Sequence, residues 1–258
     1  MFDFLNPQQL INKILDLQKE IFANEVDKTD LIKANYINEF SNSENSVRAI
    51  FDHINVKILH ISDNVESLSG HSVDEIMTLN IPFVIQLFTL DHFDFLYVWI
   101  KWAVSCQQKY DNLFNTKQLV CGVKVKHKKG HIMRLLLRHY PIETTENGIA
   151  TISAITIDDI SHLIKSDFYW GRIEFGNEVN KIHHFVSVDK VDHPHDILSD
   201  REKSIVKLLA LGKESKEIGA ELFISSHTVD NHRRNMINKV GVRDTTGLIQ
   251  ICKMVGII

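Results

Sequence analysis

Near the end of the chain, four polar side chains recur at helical spacing: His227, Asn231, Arg234 and Asn238. At about 100° per residue they share one side of a helix, and the other side carries Val229, His232, Met236 and Val240. In the major groove of DNA an amide can pair with adenine and a guanidinium with guanine. A solvated polar face on a small helical domain would show the same spacing, so the pattern alone leaves both interpretations open.

Capping signals predict the helices that would hold this polar helix in place. Ser199 and Glu202 have the S-x-x-E spacing of a capping box, which predicts the start of a first helix, and Gly212 predicts its end. Ser215 is expected to cap a short second helix that runs to Phe223.

The polar side chains fall on the third helix, which we expect Ser225 or Ser226 to cap and Gly241 to end after Val240. A fourth helix is expected over residues 244–254. A short helix, a tight turn and a polar helix are the arrangement with which many proteins enter a major groove.

The distribution of charge favours a nucleic-acid partner for this end of the chain. The 258 residues have a net charge of −4, yet residues 194–258 hold ten Lys or Arg against eight Asp or Glu. Residues 1–193 hold 19 against 25. Positive charge is concentrated between His227 and Arg243, which is a mild electrostatic signature of nucleic-acid binding.

Four short motifs cover the same segment. They are LSDRE at 198–202, LGKESKEIG at 211–219, ISSHTVDNH at 224–232 and KVGV at 239–242. In order and spacing these motifs, which span about 60 residues, resemble the LuxR/GerE family of helix-turn-helix DNA-binding domains. The resemblance implies an all-α domain of four helices in which the third, Ser226 to Val240, enters the major groove. It also implies that the fourth, about Thr245 to Met254, often joins two copies into a dimer.

The polar face and the resemblance together give the candidate DNA-contacting residues, which are Lys216, Ser226, His227, Thr228, Asp230, Asn231, Arg233, Arg234 and Asn238. Lys216 and Thr228 match family positions that usually touch phosphates. Asn231 and Arg234 match positions that usually face bases. Asp230 also matches a base-facing position, where a basic residue is common, and it could accept from a cytosine amino group or repel phosphates.

Four other positions bear on the resemblance. Arg233 is expected at the flank of the third helix, near a backbone phosphate or an acidic partner such as Glu202. His232 matches a family histidine that packs beneath the DNA-facing side. In the fourth helix Gly247 replaces a frequent glutamate and Thr245 a frequent arginine, so this chain departs from the family at its usual dimer contact.

The preceding part of the chain predicts an α+β domain after an amphipathic helix. Apolar residues at steps of three or four predict this helix over residues 7–23, with a second helix over 31–40. The later elements are expected as extended segments at 56–61, 119–127, 131–140 and 148–157 and helices at 73–77 and 92–108. These patterns predict an antiparallel sheet with flanking helices.

The same patterns divide the chain into four expected parts. Residues 1–46 form an N-terminal helical segment and residues 47–165 the sheet domain. Residues 166–193 form a linker, in which 172–175 and 181–188 could pair as a hairpin, and residues 194–258 form the helical domain.

Three stretches of the sheet domain carry further motifs. Ile58 to Ile76 contains L-S-G-H-S-V-D-E-I, Lys128 to His131 forms a charged turn, and Ile155 to Ser161 ends in D-I-S. Together these stretches resemble a PAS domain over about residues 47–163. The resemblance implies a PAS-like antiparallel sheet that encloses a pocket or forms a dimer face, and a domain that receives a signal rather than performing chemistry.

The sequence identifies no cofactor and no metal site. The motif of flavin photosensors, close to N-C-R-F-L-Q, is absent. Among the 14 histidines, pairs such as His183-His184 and His193-x-His195 are too close in sequence to indicate a metal site, and we expect them to be solvated or structural. A small-molecule ligand of unknown identity is expected in the PAS-like domain, and Trp99 and Trp102 could line its pocket or belong to the core.

Enzyme, membrane and disulfide-rich classes do not fit the sequence. It contains no G-x-S-x-G, no H-E-x-x-H and no glycine-rich phosphate loop, so no catalytic residue is assigned. No apolar run approaches the roughly 18 residues that cross a bilayer. Together with a start that lacks the basic-then-apolar order of a secretory signal, this predicts a cytoplasmic protein. Three cysteines without a C-x-x-C pair predict reduced thiols.

The sequence therefore predicts a homodimeric transcription regulator that binds double-stranded DNA and is controlled by a PAS-like sensor domain. An alternative is a response regulator in which a degenerate receiver-like domain drives the same DNA-binding domain. A receiver needs an early acidic pair, a phosphoacceptor Asp and a later Lys, whereas Asp158 and Asp159 come too late in the chain. The aromatic and aspartate spacing of an acyl-homoserine-lactone receptor is not found either.

Overall fold

The computed structural model describes residues 7–23, 46–89, 93–109, 116–146, 148–165, 170–176, 181–187 and 195–258. The chain divides into two compact units, and each is described by itself. The first unit comprises residues 1–159 and 173–183, and the second comprises residues 160–172 and 184–258. The helix expected over residues 31–40 lies outside the described residues.

The first unit begins with a helix and continues with strands and helices around one sheet. Its helices are α1 (Pro7–Ile21), α2 (Val65–Ser69), α3 (Val73–Leu87) and α4 (Phe93–Lys109). Its strands are β1 (Val47–Asp52), β2 (Lys57–Ile61), β3 (Thr116–Lys126), β4 (Ile132–Thr144) and β5 (Ala150–Asp159). The strands β6 (Trp170–Gly176) and β7 (Lys181–Ser187) are neighbours in the sheet, and each is divided between the two units. They fall on the two segments that the sequence suggested could pair as a hairpin, and the turn between them lies outside the described residues.

Strands β1 to β5 lie in the order β2-β1-β5-β4-β3, and every pairing among them is antiparallel. On β5, Ile155 lies opposite Ala49 of β1 and His139 of β4, so these three side chains share one face of the sheet. The predicted α+β fold with an antiparallel sheet is confirmed. A receiver domain has a parallel, doubly wound sheet, and the receiver-like alternative is therefore not supported.

The helices α2 and α3 pack on the face of the sheet that carries Ala49. Val65 of α2 and Ile76 of α3 join Ala49, Ile58 and Ile155 in one buried cluster. Removing such aliphatic side chains from water is the main favourable contribution to folding. This cluster fixes the small helices against the strands.

Helix α3 is longer than the segment 73–77 that the sequence predicted, and it is kinked at Asn80. This residue has φ 52° and ψ −144°. Its side-chain oxygen accepts from the backbone N–H of Ile58 at 2.9 Å, and its amide nitrogen donates to the carbonyl oxygen of Ile58 at 3.1 Å. Asn80 therefore pairs with β2 much as a strand residue would, which holds the kink.

The second unit contains the four helices predicted for the C-terminal domain. They are α5 (Asp200–Ala210), α6 (Ser215–Glu221), α7 (Ser226–Val240) and α8 (Thr245–Met254), preceded by the short strand β8 (His195–Asp196). Their common core consists of fully buried side chains, among them Ile205, Val206, Ile218, Val229, Met236, Val240, Leu248 and Ile251. The predicted all-α, four-helix domain is confirmed.

The residues that directly follow β5 are also part of the second unit. The N–H of Lys165 donates to the carbonyl oxygen of Gly241 at 2.8 Å, and the N–H of Arg243 donates to that of Leu163 at 3.0 Å. These two bonds, with a bridge between Ile164 and Val242, form a short antiparallel pairing beside the connection between α7 and α8. The segment 160–165 thereby becomes a further strand-like support for the helical unit.

Candidate nucleic-acid interface

Helix α5 begins with the predicted capping box, which also anchors α7. The hydroxyl of Ser199 accepts from the N–H of Glu202 at 3.3 Å, and the Glu202 carboxylate accepts from the N–H of Ser199 at 2.8 Å. The same carboxylate binds the ammonium of Lys239 on α7 at 2.8 and 2.9 Å. Burial alone would raise the pKa of Glu202, but the hydrogen bonds from Lys239 and Ser199 outweigh it and hold the pKa below its usual value. Glu202 is therefore an anion that ties the two helices together.

Helix α6 is capped differently from the prediction. The sequence indicated Ser215 as the cap, but Glu214 occupies that position and its N–H donates to the carboxylate of Glu217 at 2.7 Å. The hydroxyl of Ser215 instead donates to the carboxylate of Asp230 on α7 at 2.6 Å. Ser215 thus connects α6 to the first turns of α7. The sequence did not indicate this contact, because it predicted Ser215 as a helix cap.

The turn between α6 and α7 brings the two backbones into close contact. A Cβ on Gly219 would lie 2.7 Å from the carbonyl oxygen of Ile224, a distance that only glycine permits. Ser225 then caps α7, because its hydroxyl accepts from the N–H of Thr228 at 3.0 Å. The sequence predicted Ser225 or Ser226 as the cap, and the structure shows that it is Ser225.

The two sides of α7 differ as the sequence predicted. Val229, Met236 and Val240 are fully buried against the other helices of the unit. On the other side His227 and Arg234 are exposed, together with Asn238, and Asn231 is half-buried. The exposed side therefore presents an imidazole, a guanidinium and two amides in a row along a rigid helix.

The other candidate contact residues surround the start of α7. Lys216 is exposed in the first turn of α6. Ser226 and Thr228, both partly exposed, lie in the first turn of α7, where free backbone N–H groups and the helix dipole favour an anion such as phosphate. Cations and N–H groups that could meet DNA backbone thus lie near the base-facing row.

Arg233 and Asp230 form an ion pair on α7. Arg233 Nη2 lies 3.0 Å from Asp230 Oδ1, and each side chain is about two-fifths exposed. The sequence suggested a phosphate or an acidic residue such as Glu202 beside Arg233; the acidic partner is Asp230, because Glu202 pairs with Lys239. Asp230 therefore faces two donors, Ser215 and Arg233, which reduces the repulsion it would exert on a phosphate.

A second candidate site lies in the first unit. The sheet face that carries Ala49, His139 and Ile155 bounds a cavity of about 320 Å³, which we call the sheet cavity. Side chains of α1, α3 and α4 line its other side, and Ile14 and Trp99 are among them. Trp99 is 3% exposed, so it both lines the cavity and belongs to the core.

The described residues contain neither a metal-binding cluster nor a membrane-spanning helix. No cluster of three or more His, Cys, Asp or Glu side chains in this part of the chain is arranged to hold a metal ion. Within the same residues, no helix combines the length and apolar character needed to cross a membrane.

Residues 196–252 match the GerE family, described as bacterial regulatory proteins of the luxR family. The spore germination protein GerE of Bacillus subtilis is 39% identical over 59 residues, which are 22% of this chain and 80% of GerE. The transcriptional regulatory protein MctR of Rhizobium johnstonii is 37% identical over 70 residues, which are 27% of this chain and 33% of MctR. This chain belongs to the luxR family of bacterial regulatory proteins.

The family assignment covers the second unit and not the whole chain. The matched segment spans about a third of the length of MctR. Among solved structures, a LOV protein of Rhodobacter sphaeroides is similar with a TM-score of 0.34 and 13% identity, over 52% of this chain and 69% of that protein. The family is described as one of bacterial regulatory proteins, which agrees with the regulator class that the sequence predicts for residues 194–258.

Proposed function

We propose that this chain binds double-stranded DNA and regulates transcription, with α7 as the helix that enters the major groove. The observation that carries the proposal is the division of α7 into a fully buried side and an exposed side. The exposed side offers His227, Arg234 and Asn238, with Asn231 beside them. Family membership of the second unit supports the same assignment.

The contacts divide by chemistry. Arg234 and Asn231 are assigned to base edges, because guanidinium and amide groups can pair bidentately with guanine and adenine. Lys216, Ser226 and Thr228 are assigned to phosphates, which fix the register of the helix in the groove. The remaining candidates lie on the same helix and complete the interface. They are the ion pair of Asp230 and Arg233, and the side chains of His227 and Asn238.

The rest of the chain acts, in this proposal, as the control of DNA binding. The PAS-like first unit receives a signal through a small molecule held in the sheet cavity, whose volume of about 320 Å³ suits such a ligand. Two copies of the chain present two α7 helices to major grooves about 34 Å apart, so a small rearrangement of the dimer changes affinity. The expected sensor domain, residues 47–165, and the expected DNA-binding domain, residues 194–258, separate sensing from binding, except that residues 160–165 pair with the helical unit. A regulator of chromosomal DNA acts in the cytoplasm.

The test is quantitative binding of the full-length chain to a duplex that it has itself selected from a random pool. Arg234→Ala and Asn231→Ala should each lower affinity by about 1–3 kcal/mol, or roughly 5- to 150-fold, while binding to unrelated DNA changes little. Lys207→Ala is the matched control for charge, because Lys207 is an exposed cation of α5 outside the candidate set.

Equal losses in Arg234→Ala and Lys207→Ala would mean that only net charge matters and would contradict the assignment of α7. Native mass spectrometry of the complex counts the chains per duplex. Two chains on one duplex are expected, and a single chain would contradict the dimer.

A further inference from the structure

The wall of the sheet cavity is almost entirely apolar. Its aliphatic and aromatic side chains come from the sheet and from α1, α3 and α4, and no Asp, Glu, Lys or Arg is found among the described residues that line it. An ionised ligand here would lose its hydration and meet no opposite charge. The wall therefore favours an uncharged occupant.

A group of polar side chains interrupts this wall at the sheet. His53 Nε2 lies 2.8 Å from the hydroxyl of Ser153, so these two side chains satisfy each other. The ring centroid of His139 lies 6.4 Å from that of His53. Its Nδ1 is buried and has no hydrogen-bond partner in the protein. A buried polar atom without a partner is unfavourable, so a ligand group opposite His139 would be stabilised.

A second unpaired polar atom belongs to a residue of α1 that lines the cavity. Gln18 lines it, and the side-chain oxygen Oε1 of Gln18 is buried without a hydrogen-bond partner. A carbonyl oxygen only accepts, so its partner must carry an O–H or an N–H. An ordered water needs two to four polar partners, and the apolar wall around these atoms offers few.

The two histidines supply no positive charge. Burial lowers the pKa of His53 to about 4. Burial, together with the neighbouring His53, lowers the pKa of His139 to about 3. A neutral imidazole can form one hydrogen bond through each ring nitrogen, but it has no charge to hold a carboxylate.

We propose that the sheet cavity binds a neutral, largely apolar alcohol or amide, anchored by hydrogen bonds to His139 Nδ1 and Gln18 Oε1. Carboxylates and amines of the same size are excluded, because neither charge finds a partner in the wall. The proposal rests on the proposed function, in which this cavity receives the signal. It adds the chemical class of that signal.

The test uses the full-length chain and three probes with the same alkyl group, which are 1-octanol, octanoate and octylammonium at neutral pH. Calorimetric titration and thermal unfolding measure binding. The alcohol should bind and raise the unfolding temperature, and both ions should bind at least about tenfold more weakly. Binding of either ion as tight as that of the alcohol, or no binding of the alcohol, overturns the proposal.

Three variants test the anchors. His139→Leu removes the ring nitrogen and should weaken octanol binding about tenfold, whereas His139→Asn keeps a polar group near Nδ1 and should largely restore it. Gln18→Leu tests the second anchor with the same expected loss. His60→Leu is the matched control, because His60 also has a buried unpaired ring nitrogen but does not line the cavity.

Octanol binding that is unchanged in both His139→Leu and Gln18→Leu overturns the proposal. If His139→Leu fails to fold, unchanged octanol binding in Gln18→Leu alone overturns it. The DNA-binding assay is independent of these outcomes. Failure of the alcohol with DNA recognition by Arg234 intact contradicts only the ligand class. Normal octanol binding with unimpaired DNA recognition in Arg234→Ala contradicts only the assignment of α7.

Discussion

Lowering the pH from 7 to 5 should destabilise the first unit through His53 and His139. Their pKa values in the folded chain, about 4 and about 3, lie below the value of about 6.5 expected when unfolded. At pH 5 the unfolded histidines carry protons and the folded ones do not, so stability falls as the pH drops below about 6.5. Each pH unit in this window costs about 1.4 kcal/mol per histidine, which amounts to about 4 kcal/mol for the pair.

Hydrogen-exchange mass spectrometry across a urea series measures this loss, because peptides from β4 and β5 report on the first unit alone. His139→Asn removes one of the two titrating groups and should reduce the acid-dependent loss by about 2 kcal/mol. His162→Asn is the control, since His162 is an exposed residue of the second unit. An acid dependence in His139→Asn as steep as in the unaltered chain would refute the argument that His139 is buried in its neutral form.

Two further predictions concern the second unit. Gly219→Ala should lower the free energy of unfolding by about 2 kcal/mol or more, because its Cβ would approach the carbonyl oxygen of Ile224 to 2.7 Å. Gly212 has a left-handed φ but open space around it, so Gly212→Ala should lower the free energy of unfolding by only roughly 1 kcal/mol. Equal losses of stability in Gly219→Ala and Gly212→Ala would refute the close-contact argument. Glu202→Ala should cost about 1–2 kcal/mol at pH 7, because it removes the carboxylate that accepts from the N–H of Ser199 in the capping box. The folded chain holds the pKa of Glu202 below its usual value, so the stabilisation is lost as the pH falls through this lowered pKa. The cost of Glu202→Ala, measured by urea unfolding, should therefore shrink at low pH.

The helices of the second unit could be predicted because their ends are encoded locally. Ser199 and Glu202 form their capping box within one turn, and Gly241 ends α7 with φ 74°. The burial of Val229 and Met236 also follows from spacing along one helix. Each signal lies within a few residues of the feature that it predicts, so no knowledge of packing was needed.

Partners between elements could not be predicted in the same way. The carboxylate of Glu202 pairs with Lys239 rather than Arg233, a choice that depends on the angle at which α5 crosses α7. The kink of α3 depends on a pairing between Asn80 and Ile58, 22 residues apart. The spacing of residues along one helix predicts neither the angle at which two helices cross nor a partner that is distant in sequence.

The polar group in the sheet cavity is of the same non-local kind. His53 follows β1, His139 lies on β4 and Ser153 lies on β5, so they meet only once the strand order and register are set. One signal was present in the sequence. Along β4, Leu135, Leu137 and His139 alternate with residues of the opposite face, which puts a histidine in an otherwise aliphatic row on the cavity side.

Gly247 shows how a departure from a family can follow from the rest of the chain. A Cβ at this position would lie 3.3 Å from the carbonyl oxygen of Leu163, whose bond with the N–H of Arg243 holds the segment 160–165 beside α8. Gly247 also donates its N–H to the capping carboxylate of Asp244 at 2.8 Å. The glutamate that is frequent here in the family would crowd that segment, because its Cβ alone already makes a tight contact. Glycine at this position therefore leaves room for the segment 160–165 beside the start of α8.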